Sequence, residues 1–309
     1  MDITWGASAS HEIAWGGMIA VYLFLAGIAA GAFLTAALTD LFGKNRPAKL
    51  IRAGAYIPPI AIVVGLLLLV FDLGRPLSFW KLIFNVNFSS VMSLGTFIIS
   101  IFTAVALVYA YLIWAWPVAQ ARGIQITVAG VEAAAAREVP ASGLQALRKP
   151  VAVVGSLLAF GTATYTGFLL SAVSTNTFWS VPFLGISGVP FLPFLFLVSA
   201  ISTGLAATLI GAIDCSDLTL YKKVDIVLLA IEILLLIILY TSVSSAFFQG
   251  GLANLFWIGV VVIGLLLPLI LAIYGVSKHK NLVVPVCGMV VVGGLALRYF
   301  VVYAGQMVR

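Results

Sequence analysis

The stretch WGGMIAVYLFLAGIAAGAFLTAALTD, residues 15–40, decides what kind of molecule this is. No charged side chain occurs from Trp15 to Thr39, a run longer than the ~20 residues needed to cross a ~30 Å hydrocarbon core. Within it Ala26, Gly27, Ala30 and Gly31 repeat small residues four apart, the spacing that lets two helix backbones approach closely in a membrane. Outward from this stretch, other charge-free runs mark further spans, because a charge at the bilayer centre costs roughly 2.5–3.5 kcal/mol on insertion scales. They fall near 12–41, 52–72, 88–116, 151–173, 190–213, 224–246, 253–276 and 283–305, with Pro117 ending the third. The two longest uncharged blocks divide at VPFLGISGVPFLP (181–193) and FFQGGLAN (247–254), where Gly and Pro punctuate the chain. The expected fold is an all-α integral membrane protein of eight transmembrane helices.

Composition agrees. The chain is 63% hydrophobic and 8% charged, against about a quarter charged in an ordinary soluble domain. The net charge of +6 comes from basic residues between apolar runs, where membrane orientation explains them and nucleic acid is excluded. Cys215 and Cys287 lie far apart in no paired motif, so no disulfide framework, iron-sulfur cluster or zinc site is encoded. The opening MDITWGASAS has no basic region ahead of its apolar run, unlike a removable signal peptide.

Orientation follows from Lys and Arg. Lys44, Arg46, Lys49, Arg52, Arg122, Arg137, Arg148, Lys149, Lys222, Lys223, Lys278 and Lys280 lie in or beside alternate connections, whereas Arg75, Lys81 and Arg309 belong to the other side. The positive-inside rule then puts both termini outside. Trp5, Trp15, Trp80, Trp179 and Trp257 are expected at the outer boundary, and Trp114 and Trp116 at the inner, as interfacial anchors. A faint similarity joins YLFLAGIAAGAFLTAALTD (22–40) to FLFLVSAISTGLAATLIGAID (194–214). It suggests a parallel repeat of two four-helix bundles about an axis along the membrane normal. The chain divides into 1–149 and 150–309, or by function into a four-helix bundle within 1–173 and a second within 190–309.

His11 and His279 are the two histidines and fall on opposite sides, which excludes a bis-histidine haem. Electrons handled here therefore need a bound organic cofactor. His11, Glu12, Asp72, Arg75 and Tyr165 should share one depth at the outer ends of the first, second and fourth spans. A quinone site needs that mixture: an apolar slot, donors for two carbonyl oxygens, and an acid or imidazole to pass protons to water. Each residue also has a plain structural reading. Asp72 and Arg75, three apart before Pro76, suit a helix terminus; His11 and Glu12 suit a solvated helix start, and Tyr165 an interfacial anchor. Glu232 and Arg298 lie inside spans, at depths expected to differ by several residues, and are candidates for a proton path or for a satisfied packing contact.

WGGMIAVYLFLAGIAAGAF (15–33), FDLGRP (71–76), YTGFLLS (165–171), LPFLFLVSAISTG (192–204) and LRYFVVYAGQ (297–306) together resemble the NrfD-like family of quinone-interacting membrane subunits, which includes the membrane subunit of polysulfide reductase. The resemblance covers nearly the whole chain and rests on motif order. It implies an anchor in a bacterial or archaeal cytoplasmic membrane, non-catalytic alone, that exchanges electrons between menaquinone or ubiquinone and a ferredoxin-like iron-sulfur subunit. A molybdopterin catalytic subunit usually completes such a respiratory complex on the outer face. By the same resemblance the quinone site lies in the first bundle, on His11, Glu12 and Tyr165 with Asp72 and Arg75 as second choices. The outer loops 76–88 and 174–190 would receive the partner. The rival reading is a proton-coupled secondary transporter, suggested by the repeat and by Glu232 and Arg298; a third is an anchor without cofactor.

Overall fold

The computed structural model describes residues 16–43, 47–72, 90–122, 141–173, 176–186, 188–215, 218–243, 245–248, 250–278 and 280–307. His11, Glu12, Arg75 and the side chain of Asp72 lie outside the described set. Among the described residues, eight helices are long and apolar enough to cross a membrane: α1 (Gly17–Phe42), α2 (Ala48–Asp72), α3 (Val91–Arg122), α4 (Ala141–Ser171), α5 (Leu192–Gly211), α6 (Thr219–Ser242), α7 (Gly251–Ser277) and α8 (Val283–Met307). The expected spans are all present, with shifted ends. α3 passes through Pro117 to Arg122, α4 begins ahead of Pro150, and α6 begins at Thr219 and ends at Ser242. Charge marks where a helix enters polar surroundings, and the helix itself carries on, since its backbone bonds are satisfied internally whatever the side chains.

Two faces are defined by contacts between helix ends. At one, Arg148 at the start of the α4 span reaches Asp40 near the end of α1, and Lys49 of α2 reaches Asp214 after α5. This is the basic face, which also carries Lys222, Lys223, Lys278 and Lys280. At the other, Trp179 Nε1 donates to Val301 O at 2.8 Å and Asn176 Nδ2 donates to Gly305 O, pinning the α4–α5 connection to the end of α8. This is the terminal face. Trp179 is therefore a buried clasp, 4% exposed, where an interfacial anchor was expected; Trp114 and Trp257 are about half exposed.

α1 packs on α2, α4, α5 and α8; α2 on α3, and α3 on α4. α5, α6, α7 and α8 close a second ring of contacts, and α4 and α2 also touch α5. Lipid gives no hydrophobic drive between helices, so close backbone approach has to supply the attraction. The glycines of α1 and α5 do so: a Cβ on Gly31 would lie 1.9 Å from Ala200 O, and one on Gly204 would lie 2.3 Å from Ala32 N. The small-residue face of the opening stretch is thus the seam with α5. On the far side, Gly264 of α7 abuts Gly293 of α8, a Cβ there falling 2.6 Å from Gly293 Cα. α7 is wound as a π-helix over Leu255–Leu266 and returns to α winding just before Pro268, whose ring has no N–H to donate.

Candidate functional site

Tyr165 is buried, 7% exposed, and its ring lies across Gly95 of α3: a Cβ on Gly95 would sit 1.7 Å from Tyr165 Cζ. A tyrosine anchoring a helix to the lipid interface would not be enclosed this way. Tyr22 of α1 is 4% exposed, packs beside Gly65 of α2, and is near enough to Tyr165 to interact electrostatically. At 1.5 Å per residue, Tyr22, Gly65, Gly95 and Tyr165 lie roughly 6–11 Å inside the terminal-face ends of their helices. The four helices thus bring two phenols and two glycines to one depth.

One turn outward from Tyr165, Phe168, Ser171 and Ala172 line a cavity of about 330 Å³ with Val91 and the connection Ser180–Pro190. Ser171 Oγ is buried there without a partner. The cavity wall is mainly apolar, with hydroxyls from Ser171 and Ser180. Such a space is wide enough for a flat apolar ring, and Tyr165 lies one turn inward of its wall.

The basic-face end of these same helices is closed. Arg148 Nε donates to Asp40 Oδ2 at 2.6 Å, Tyr109 Oη donates to the same oxygen at 3.2 Å, and Tyr109 packs against Phe33 with ring centroids 5.1 Å apart. Asp40 is 5% exposed.

A second polar centre lies among α5, α6 and α8. Arg298 is 1% exposed; its guanidinium sits 4.0 Å over the Phe196 ring and Nη2 donates to Phe196 O at 3.3 Å. Stacking of a desolvated cation on a ring is worth about 2 kcal/mol. Nε and Nη1 have no partner, and Ser199 of α5 faces Glu232. Glu232, 4% exposed, interacts electrostatically with Arg298 without an ion pair inside 4.0 Å. With α6 running from Thr219 to Ser242, both residues fall about 13–15 Å from the terminal-face ends of their helices. The difference in depth expected from sequence disappears once the α6 bounds shift. Asp225, two turns from Glu232 on the same face of α6, is 2% exposed and accepts from Ser202 Oγ at 3.5 Å.

Of the residues singled out from sequence, Tyr165 joins the first centre and Glu232 and Arg298 the second; His11, Glu12, Asp72 and Arg75 cannot be placed against them. Sequence reading passed over Tyr22, Gly95, Asp225 and the Asp40–Arg148–Tyr109 cluster. Tyr22 had a usable signal, a lone phenol one to two turns inside a charge-free helix, as did Asp225 once the start of α6 was moved. Gly95 had none.

A family model described as polysulphide reductase, NrfD, matches residues 7–309. The chain belongs to the NrfD family. The C component of polysulfide reductase from Wolinella succinogenes is 35% identical to this NrfD-family protein over 99% of both sequences. Protein NrfD of Escherichia coli is 32% identical, covering 97% of this sequence and 98% of its own. The C component of selenate reductase from Mesobacillus selenatarsenatis is 24% identical over 93% of this sequence and 73% of its own length. With eight apolar helices, this NrfD-family chain is a multi-pass membrane protein.

Proposed function

We propose that this chain is the quinone-reactive membrane anchor of an oxidoreductase complex, passing electrons between the quinone pool and an iron-sulfur partner subunit. The observation that carries the reading is the pair of enclosed phenols, Tyr22 and Tyr165, about one turn inside an apolar cavity at one end of α1–α4. The names of the relatives, components of a polysulfide reductase and a selenate reductase, support a place beside catalytic subunits. A molybdopterin subunit fits that place.

In this reading a menaquinone or ubiquinone ring enters the cavity, whose walls exclude water and orient it. Tyr165 and Tyr22 donate hydrogen bonds to its oxygens. His11 and Glu12 also contact the ring in this reading, with Asp72 as second choice; Glu12 or Asp72 exchanges its protons with the aqueous phase at the terminal face, and Arg75 holds Asp72 ionised. The positive-inside rule makes the basic face cytoplasmic and puts both termini outside, in a bacterial or archaeal cytoplasmic membrane. The quinone site then belongs to the bundle within 1–173, and the bundle within 190–309 carries Glu232 and Arg298 as candidates for a proton path. The partner would dock on the connection 174–190, which is clasped to α8 and exposes Leu184 and Ile186. Leu184, at φ 51°, holds a left-handed conformation unusual for its type.

The test is Tyr165→Phe in the assembled complex. Quinol-linked turnover should fall at least tenfold while assembly and dye-linked activity of the catalytic partner stay intact. Wild-type quinol rates would remove Tyr165 from the site. The transporter reading draws on the buried Glu232 and Arg298. Solute uptake by liposomes holding this chain without partner subunits would favour it instead.

A further inference from the structure

Where α6, α7 and α8 end at the basic face they enclose a cavity of about 280 Å³ lined by Thr219, Lys222, Gly275, Val276, Lys280 and Asn281. Two other cavities toward this end, one beside Leu38 and Phe42 of α1 and one beside Pro150 of α4, have mainly apolar walls. Lys222 lies in the first turn of α6, where its N–H donates to Leu218 O at 3.0 Å, and is half-buried in the cavity wall. Lys280 is set by the turn between α7 and α8: its N–H donates to Gly275 O at 3.0 Å, and Leu282 N–H donates back to Lys280 O at 3.1 Å. Its Nζ stands 5.5 Å from the centroid of the Tyr274 ring. Among the described residues neither lysine has a carboxylate within 4.0 Å, and Asp214 at the same face is taken by Lys49 at 3.1 Å. Asp225, 2% exposed, lies one turn inward and accepts from Ser202 Oγ.

Orientation in the membrane asks only that basic side chains stand on one side, and the exposed Lys223 and Lys278 meet that need. Lys222 is different, because helix phase turns it into a wall, where a partly desolvated ammonium calls for an anion. Thr219 and Asn281 add a hydroxyl and an amide that can donate beside the two charges. Depth then decides the source of the anion. α6 begins at Thr219, α7 ends at Ser277 and α8 begins at Val283, so the cavity lies where the spans leave the hydrocarbon, at the level of lipid phosphates. Tyr274, 44% exposed beside Lys280, suits the same boundary. Deeper along the two helices, Val227 of α6 and Ile270 and Ile273 of α7 are exposed and offer surface to acyl chains. Basic pockets between spans take anionic head groups. A zwitterionic head group brings a cation of its own, which Lys222, Lys223, Lys278 and Lys280 together repel.

We propose that this cavity binds the head group of an anionic phospholipid, its phosphate lying between Lys222 and Lys280 with Thr219 and Asn281 as further donors. Two point charges from separate elements suit a phosphate, which accepts from several directions. The lysines belong to α6 and to the α7–α8 turn, so the bound head group bridges segments distant in the chain and holds the basic-face ends of three helices together. This site does not rest on the quinone reading, which concerns the opposite face of α1–α4.

The test is lipid binding by the full chain, purified in detergent and stripped of lipid, read by native mass spectrometry. Dioleoyl phosphatidylglycerol should bind at least about tenfold more tightly than dioleoyl phosphatidylcholine. Lys222→Gln combined with Lys280→Gln should abolish that preference. Lys223→Gln combined with Lys278→Gln removes the same charge from the same face outside the cavity, and should keep it. Equal binding of the two lipids by the wild-type chain, or the same loss in both double variants, overturns the site. Displacement of phosphatidylglycerol by millimolar inorganic phosphate also overturns it, since the cavity would then serve a soluble anion. Should either double variant fail to accumulate, the wild-type chain decides. Phosphatidylglycerol carrying a photoreactive diazirine beside its head group should label peptides holding Lys222 or Lys280, and labelling confined to other peptides overturns the proposal. Neither readout involves quinone, so failure of the Tyr165 test and failure of this one are separate results.

Discussion

Gly95→Ala puts one methyl group where the Tyr165 ring now lies. The new Cβ would stand 1.7 Å from Cζ and 2.4 Å from Oη, so the ring must retreat by about 1.7 Å to restore ordinary contact at 3.4 Å. Tyr165 is 7% exposed among packed helices, so the phenol oxygen moves off its present position or the α3–α4 pair separates. A misplacement of about 1 Å at a reacting centre can cost about a hundredfold in rate, or about 2.7 kcal/mol of barrier. Quinol-linked turnover of the complex should therefore drop about a hundredfold, while dye-linked activity of the partner and the amount of complex recovered remain unchanged. Gly161→Ala is the control: it lies on α4, its Cβ would meet only Ile98 Cγ2 at an ordinary 3.5 Å, and it should leave both activities intact. Wild-type quinol turnover in Gly95→Ala, with the complex fully assembled, would refute the assignment of Tyr165. Equal loss of both activities would locate the effect in folding instead.

Arg148→Ala should lower stability by about 3 kcal/mol, since it strands the buried Asp40 carboxylate without its partner. Asp40→Asn should cost less, because the Arg148 side chain is 21% exposed and can turn to water whereas that of Asp40 is 6% exposed; thermal unfolding in detergent orders the two. Gly31→Ala drives a Cβ to 1.9 Å from the Ala200 carbonyl, so α1 and α5 must part and the unfolding temperature should fall. Gly288→Ala, with nothing within 4 Å, should leave it unchanged. Trp179→Phe removes the donor to Val301 O at a cost of about 1 kcal/mol, and faster amide exchange should follow over residues 176–180 at the terminal face.

Sequence alone determined the solvent of this chain, the number of its spans and their alternation, because the cost of a charge in lipid acts residue by residue and leaves its mark on composition. Helix ends were less legible: Lys222, Lys223 and Asp225 ended the apolar run, yet α6 begins ahead of them at Thr219, since backbone hydrogen bonding does not stop where charge begins. The seam of α1 was visible in Gly27 and Gly31, whereas its partner α5 was not, because small residues announce close approach without naming what approaches. What only the tertiary structure decided is which polar groups share a depth and which end of the first helix set is closed. Tyr22 with Tyr165, Glu232 with Arg298, and Asp40 with Arg148 and Tyr109 are brought together by contacts between helices far apart in the chain. In an apolar medium a polar group is settled by the neighbours that enclose it, and the chain order of its own helix does not name them.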